Sequence, residues 1–189
     1  MRRLGAVVGR RVLVTGASGG VGGFAVQLLA LAGAEVVALS RRADAVPRAA
    51  GAASSPRDAG ASSQAPDSSR AGTVDVVGDL ADVAPVDFVL DNVGGPLLAT
   101  AVSRLTPGGL ALSIGQASLE PTTLDFEDLR MQGGATLEAF GVGDHFAADL
   151  ATLLELRLDP RIGWRGSWDD VHAAIDARVP GKAILEVTS

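Results

Sequence analysis

The chain has 189 residues, of which 47% are hydrophobic and 20% charged, and its formal net charge is −6. This length suits one globular domain, and the negative charge argues against a nucleic-acid partner. The chain has no cysteine, which excludes disulfides, thiolate catalysis and a zinc site built on sulfur. Its start has no long apolar run, so we expect no signal peptide and no membrane partner, and a cytoplasmic location is the default.

The first elements in chain order form a predicted βαβ unit. Residues 1–10 are predicted to be the end of a lead-in helix, and residues 12–14 are a short aliphatic strand. A glycine-rich turn follows, and apolar residues at helical spacing then run over 21–32. Gly33 is expected to end this helix, and residues 35–39 are predicted to be the second strand.

The glycine-rich turn has the features of a phosphate site, with the spacing Ala17-x-Gly19-x-x-Gly22. A helix N-terminus presents unpaired N–H groups and a positive dipole end, and glycine lets the backbone approach a pyrophosphate. We interpret the turn as a dinucleotide site; the alternative is a tight turn without a ligand. The predicted contact residues are Ala17, Ser18, Gly19, Gly20, Val21 and Gly22.

The residues after the second strand indicate which dinucleotide to expect. A carboxylate there would bind the ribose 2′-OH of NAD, but this chain has Ser40, Arg41 and Arg42. No carboxylate is available to repel a 2′-phosphate, and guanidinium groups hold phosphate in a bidentate manner. NADP (as NADPH) is therefore predicted over NAD; the alternative is that both arginines are ordinary solvated loop charges.

The segment that follows has a different composition. Residues 43–72 are mainly Ala, Ser, Gly, Pro, Arg and Asp and include almost no large apolar side chain. Such a segment does not bury enough surface to offset its ordering entropy. We predict a short helix near 43–50 at most, and a flexible insertion at about 46–72.

Strand and helix signals alternate through the rest of the chain. The predicted strands cover 74–77, 87–91, 110–115, 135–140 and 183–187, and the predicted helices cover 96–105, 126–131, 145–156 and 168–177. This alternation predicts an α/β fold, a doubly wound parallel sheet of the Rossmann type in a single domain over 11–180. Ligands bind at the carboxyl ends of such strands, where Asn92, Val93 and Gly115 would leave room for the nicotinamide.

Several motifs resemble the cofactor domain of the medium-chain dehydrogenase/reductase superfamily, in its zinc-independent, quinone-oxidoreductase-like branch. They lie at 13–22, 25–27, 91–95, 105–109 and 181–185, and the resemblance covers the chain apart from about 46–72. It implies an NADPH-dependent oxidoreductase that transfers hydride to a small-molecule substrate, a quinone or an α,β-unsaturated carbonyl. Because the cofactor carries this chemistry, we name no catalytic residue. Members are usually described as zinc-binding dehydrogenases, but without cysteine no zinc is expected here.

The chain also departs from this family. A barrel-like domain precedes the cofactor domain in the family, and the strand within 181–189 would add to that domain. The alternative hypothesis is therefore a non-catalytic NADPH-binding module or a truncated remnant. The resemblance also implies a homodimer, because the strand at 135–140 often pairs across a dimer. Short-chain dehydrogenases share the glycine pattern, but they need a catalytic tyrosine, and this chain has none.

Overall fold

The computed structural model describes residues 2–47, 72–81, 83–141, 143, 145–177 and 181–187. These residues form eight strands and five helices, with two short 3₁₀ turns at Ala43–Ala45 and Trp168–Asp170. The elements in chain order are β1 (Arg11–Thr15), α1 (Gly20–Leu31), β2 (Glu35–Leu39), β3 (Thr73–Val77), β4 (Val86–Asp91), α2 (Gly95–Val102), β5 (Leu105–Ser113), α3 (Phe126–Met131), β6 (Ala135–Ala139), α4 (Phe146–Glu155), β7 (Ile162–Ser167), α5 (Val171–Asp176) and β8 (Lys182–Glu186).

Six strands form one parallel sheet in the order β3-β2-β1-β4-β5-β6. The strand order reverses between β1 and β4, which creates the crevice where open α/β sheets bind ligands. The predicted α/β fold, a single Rossmann-type domain, is confirmed. The sheet therefore places the glycine-rich turn after β1 beside the turn after β4.

Neighbouring residues of each strand point to opposite faces of the sheet, and both faces are packed against buried apolar side chains. Val12 and Val14 belong to one buried cluster together with Leu29 of α1. Leu13, between them, belongs to the opposite cluster together with Leu98 of α2. All three β1 residues are fully buried, and each such side chain contributes about 1.5–3 kcal/mol to the free energy of unfolding.

The predicted lead-in helix is wrong. Residues 2–4 form a turn, and no helix occurs in 2–10. Gly5 and Gly9 both have φ of +67°, a left-handed conformation that breaks a helix. Leu4 and Val7 are nevertheless buried in the cluster on the α1 side, so this segment packs as an irregular strap before β1.

The boundaries around the fifth strand also differ from the sequence prediction. Helix α2 ends at Val102, and β5 begins at Leu105 and includes the Pro-Gly-Gly stretch at 107–109. The pairing with β4 shifts there, because Val86 faces Leu105 whereas Phe88 faces Leu110. Proline and glycine thus make an irregularity within a strand instead of ending a helix.

A second, two-stranded parallel sheet joins β7 to β8. Strand β7 was not predicted, because the glycines near Trp164 suggest a turn. In the structure Gly166 leaves space for the Trp164 ring, which lies where a Cβ would be. The final strand is thus paired along one edge, and no strand in the described ranges pairs along its other edge.

The predicted insertion falls mostly on residues outside the described ones. Ala43–Ala45 is a 3₁₀ turn, shorter than the predicted helix, and Val46 is buried against the α1 cluster. The prediction of a flexible insertion at about 46–72 stays a prediction, because residues 48–71 lie outside the described ranges. None of the helices in the described residues is long and apolar enough to span a membrane.

Candidate cofactor site

An open cleft of about 1300 Å³ lies at the carboxyl ends of the central strands. Its walls come from the turns after β1, β2, β3, β4 and β5. All of the predicted site residues except Ala17 line it: Ser18, Gly19, Gly20, Val21, Gly22, Ser40, Arg41, Arg42, Asn92, Val93 and Gly115. The structure thus brings them together, while their contact with a dinucleotide stays a prediction.

Ala17 has a different position. It is fully buried beneath the turn, and its N–H donates to the carbonyl of Leu39 over 3.2 Å. Its Cα would lie 3.0 Å from a Cβ at Gly22. Ala17 therefore ties the glycine turn to β2 and supports it from below, and it offers no surface to a ligand in the cleft.

The glycine turn requires glycine at two positions. Gly16 has φ of +61°, and its carbonyl accepts a 2.9 Å hydrogen bond from the N–H of Gly19. A Cβ at Gly22 would collide with that same carbonyl of Gly16. The first turn of α1 therefore packs directly on the end of β1, as the close approach of helix and strand in a dinucleotide site demands.

The start of α1 leaves donors free for an anion. Its first hydrogen bond runs from the N–H of Gly23 to the carbonyl of Gly19 over 2.8 Å. Among the described residues, no backbone carbonyl accepts from the N–H groups of Gly20, Val21 or Gly22. Free N–H groups of this kind, together with the positive end of a helix dipole, are the donors that bind anions at the start of a helix, so the predicted phosphate contact stays a prediction that this geometry permits.

The turn after β2 presents two arginines to the cleft. The buried Ser40 hydroxyl accepts from the N–H of Arg42 and donates to its carbonyl, both over 3.0 Å. This local ring fixes the backbone that carries Arg41 and Arg42, whose side chains are exposed. Within the described ranges neither guanidinium forms a salt bridge, so both are available to a ligand.

A carboxylate does line this cleft, so the expectation that none is available to repel a 2′-phosphate is wrong. Asp79 follows β3, which pairs with β2, and its Oδ1 accepts a 2.9 Å hydrogen bond from the N–H of Ala81. The prediction rested on the residues after β2 alone. The pairing of β3 with β2 brings the turn after β3 to the same wall, which local sequence does not reveal.

A buried polar network joins the ends of β1 and β4. The Thr15 hydroxyl donates to Asp91 Oδ1 over 2.6 Å and accepts from the N–H of Asn92 over 3.0 Å. The other Asp91 oxygen, Oδ2, accepts from the N–H of Gly94 over 2.8 Å. Sequence reasoning missed Thr15 and Asp91 as positioning residues, although a polar residue at the last position of an apolar strand is the signal that marks them.

The turns after β4 and β5 meet closely at the nicotinamide end of the predicted site. The amide nitrogen of Asn92 donates to the carbonyl of Thr15 over 3.0 Å, which orients its side chain. A Cβ at Gly115 would lie 2.9 Å from the Asn92 carbonyl oxygen, and one at Gly16 would lie 3.2 Å from Val93 Cγ2. Small residues therefore keep this end of the cleft open while the turns pack together.

A comparison with protein-family models matches residues 20–157 to the family described as zinc-binding dehydrogenase. The chain belongs to the zinc-binding dehydrogenase family. A relative from Bos taurus, "NAD(P)H oxidoreductase RTN4IP1, mitochondrial", is 32% identical over 147 residues, which cover 73% of this chain and 34% of that protein. The resemblance to medium-chain dehydrogenases/reductases is thereby confirmed.

Solved structures show the same fold. A thermostable alcohol dehydrogenase from Pyrobaculum aerophilum with cobalt and zinc bound is 24% identical, with a TM-score of 0.67 over 98% of this chain and 52% of that one. A mycobacterial protein complexed with NADPH is 23% identical, with a TM-score of 0.65 over 95% of this chain and 57% of that one. The chain thus spans about half the length of these structures and about a third of the curated relative.

The family description raises the question of a zinc site. The chain has no cysteine, and the part of it that the structure describes brings no three His, Asp or Glu residues together in a group that would hold a metal ion. Zinc sites in proteins need three or four such ligands. The described residues therefore do not fit a zinc site, and we assign no chemical step to a metal.

Proposed function

We propose that this chain binds NADPH and forms the cofactor-binding part of an oxidoreductase. One observation carries the proposal: the free N–H groups at the start of α1 and the arginines after β2 line the same cleft. A dinucleotide with a pyrophosphate and a 2′-phosphate matches these two groups of donors. The family membership supports a nicotinamide cofactor.

Each wall of the cleft has a distinct part in this proposal. The N–H groups of Gly20, Val21 and Gly22 hold the pyrophosphate, and Arg41 with Arg42 holds the 2′-phosphate. The open end between Asn92 and Gly115 receives the nicotinamide ring. When bound, the reduced cofactor supplies a hydride; the residues of this chain bind and orient it.

The proposed hydride acceptor is a quinone or an α,β-unsaturated carbonyl. The resemblance to the quinone-oxidoreductase-like branch supports this class of substrate. One hydride from NADPH and one proton from solvent together reduce a quinone to its hydroquinone, with NADP⁺ as the second product. Such a reaction requires no metal.

Calorimetric titration of the chain with NADPH and then with NADH tests the proposal. We expect NADPH to bind at least about tenfold more tightly, since charge-assisted hydrogen bonds to the 2′-phosphate contribute about 1.5–3 kcal/mol. The double substitution Arg41→Gln and Arg42→Gln should remove this preference. As a matched control, Arg130→Gln on α3 removes an exposed arginine that does not line the cleft. Equal affinities would contradict NADP specificity, and no binding of either would overturn the function.

A second candidate is a cofactor-binding module without reductase activity of its own. The chain spans about a third of the curated relative, so the reductase activity of this chain needs a test separate from cofactor binding. NADPH oxidation by this chain with menadione and with an enone separates the candidates. Tight binding without turnover supports the module. The nucleotide sequence upstream then shows whether an in-frame domain precedes this chain.

A homodimer through β6 is also proposed. Strand β6 lies at the edge of the six-stranded sheet, and Leu137 on it and Phe140 after it are both about two-fifths exposed. An edge strand with exposed apolar side chains is a surface for pairing with a second copy. Sedimentation equilibrium should give the mass of two chains, and the mass of one would contradict the proposal.

The cytoplasmic location also stays a prediction, because the cattle relative is named as mitochondrial.

A further inference from the structure

A recess of about 160 Å³ lies beside the cleft at the glycine turn. The two spaces have Ser18, Gly19, Gly20 and Arg42 in common as lining residues. The remaining walls of the recess come from α1, from the segment before β7 and from the start of β8.

Three cationic side chains line this recess: Arg42, Arg161 and Lys182. Nη1 of Arg161 is buried and has no hydrogen-bond partner within the described residues. The one carboxylate in the wall is Asp159, whose Oδ1 accepts a 2.8 Å hydrogen bond from the N–H of Arg161. The ammonium group of Lys182 has no salt bridge to a carboxylate in the described ranges. A recess with this charge attracts an anion.

The ammonium of Lys182 lies directly at the start of α1. A Cβ at Gly20 would be 2.8 Å from Lys182 Nζ, so a side chain at this position would displace the end of the lysine. The same Nζ lies 5.5 Å from the centroid of the Phe24 ring, a cation–π distance that favours the charged group in this place.

Hydrogen bonds across the fold hold Lys182 at this point. The buried Gln27 of α1 donates to the carbonyl of Asp159 over 3.0 Å and accepts from its N–H over 2.8 Å. This clamp fixes the segment that continues to Arg161, whose carbonyl accepts a 2.8 Å hydrogen bond from the N–H of Lys182. Gly181, with φ of +99°, makes the approach to Arg161 sterically feasible.

We propose that Lys182 binds the pyrophosphate of the dinucleotide from this recess, so that strand β8 contributes a cation to the cofactor site. This inference rests on the proposed NADPH function. The pyrophosphate is then held between the N–H groups at the start of α1 and the Lys182 ammonium, whereas Arg41 and Arg42 contact the 2′-phosphate. Lys182 therefore raises affinity for NADPH and NADH alike and does not discriminate between them.

Titrations of Lys182→Met and Lys182→Arg with NADPH, NADH and adenosine 2′-monophosphate test this assignment. We expect Lys182→Met to weaken the binding of NADPH and of NADH by the same factor, about tenfold or more, because one charge-assisted contact is lost. Binding of adenosine 2′-monophosphate, which has no pyrophosphate, should not change, and Lys182→Arg should retain most of the affinity. Arg165→Met is the matched control, because it removes one exposed cation from the same small sheet outside the recess.

A second measurement uses the fact that Lys182 is the only lysine in the chain. Reductive methylation with ¹³C-formaldehyde gives a single dimethyl-lysine resonance besides that of the N-terminal amine. NADH and ADP should shift this resonance, and adenosine 2′-monophosphate should not. This readout requires no enzymatic activity and no substitution, so it stands even if Lys182→Met fails to fold.

The possible results separate the inference from the function on which it rests. If the parent chain binds NADPH and Lys182→Met binds it equally well, the Lys182 assignment is overturned and the proposed function stands. A loss of affinity for NADPH alone would indicate that Lys182 contacts the 2′-phosphate, and it would also overturn the assignment. A parent chain that binds neither dinucleotide would overturn both proposals.

Discussion

The hydroxyl of Thr15 and the carboxylate of Asp91 form a 2.6 Å hydrogen bond between two fully buried side chains, at the point where the strand order of the sheet reverses. Thr15 precedes the glycine turn, and Asp91 precedes the turn that carries Asn92. The bond therefore fixes the two sides of the predicted cofactor site relative to each other. Because it is shielded from water, the loss of either partner leaves a buried polar group unsatisfied.

The substitution Thr15→Val should lower the free energy of unfolding by about 2–3 kcal/mol, since it leaves the buried Asp91 carboxylate without one of its donors. It should also weaken NADPH binding, because the N–H of Asn92 loses its acceptor. Urea denaturation and calorimetric titration measure the two effects. Thr152→Val on the exposed face of α4 is the control, with an expected change within about 0.5 kcal/mol. Equal stabilities of the two variants would contradict a structural role of the Thr15–Asp91 pair.

The substitution Gly22→Ala should abolish tight NADPH binding and destabilise the fold by about 1–3 kcal/mol. The added methyl group would collide with the Gly16 carbonyl, so the first turn of α1 must move away from β1. Thermal unfolding and titration with NADPH report the two losses. Gly141→Ala, where a Cβ meets nothing within 4 Å, is the control and should leave the stability and the NADPH affinity unchanged. Normal binding by Gly22→Ala would refute the close packing of the turn.

The substitution Asp79→Asn should strengthen NADPH binding about two- to threefold relative to NADH, because it removes a negative charge from the wall that carries Arg41 and Arg42. The effect should shrink as ionic strength rises, since the exposed charges are screened. Titrations at low and at physiological salt give the comparison. Asp169→Asn, on an exposed residue outside the cleft, serves as the control. If Asp79→Asn weakened NADPH binding, the carboxylate would contact the ligand and would not act as a repulsive charge.

The substitution Gln27→Leu should release the segment around Asp159 from α1. Both backbone groups of Asp159 lose their side-chain partner, and the buried leucine cannot replace it. Hydrogen exchange at the Asp159 amide should accelerate by about tenfold or more, and affinity for NADPH and NADH should fall together as Lys182 loses its support. Unchanged exchange at this amide would show that the Gln27 clamp does not hold the segment.

Much of the fold could be predicted because its signals are local. The aliphatic run from Val12 to Val14 and the glycines at 16, 19 and 22 lie within one βαβ unit, so strand, turn and helix follow from neighbouring residues. One local prediction was wrong and one strand was missed, each for a physical reason. Gly5 and Gly9 take left-handed backbone conformations that end any helix before β1, and Gly166 makes room for the Trp164 ring within the unpredicted strand β7.

The sequence by itself determined the parallel α/β sheet, the phosphate-type turn and the arginines after β2, because each depends on periodicity or spacing over a few residues. Only the tertiary structure decided which distant groups meet there. Asp79 reaches the cleft because β3 pairs with β2, Gln27 meets Asp159 across 132 positions of sequence, and Lys182 reaches the start of α1 from the last strand. Such contacts arise from the packing of whole elements, which no short stretch of sequence encodes.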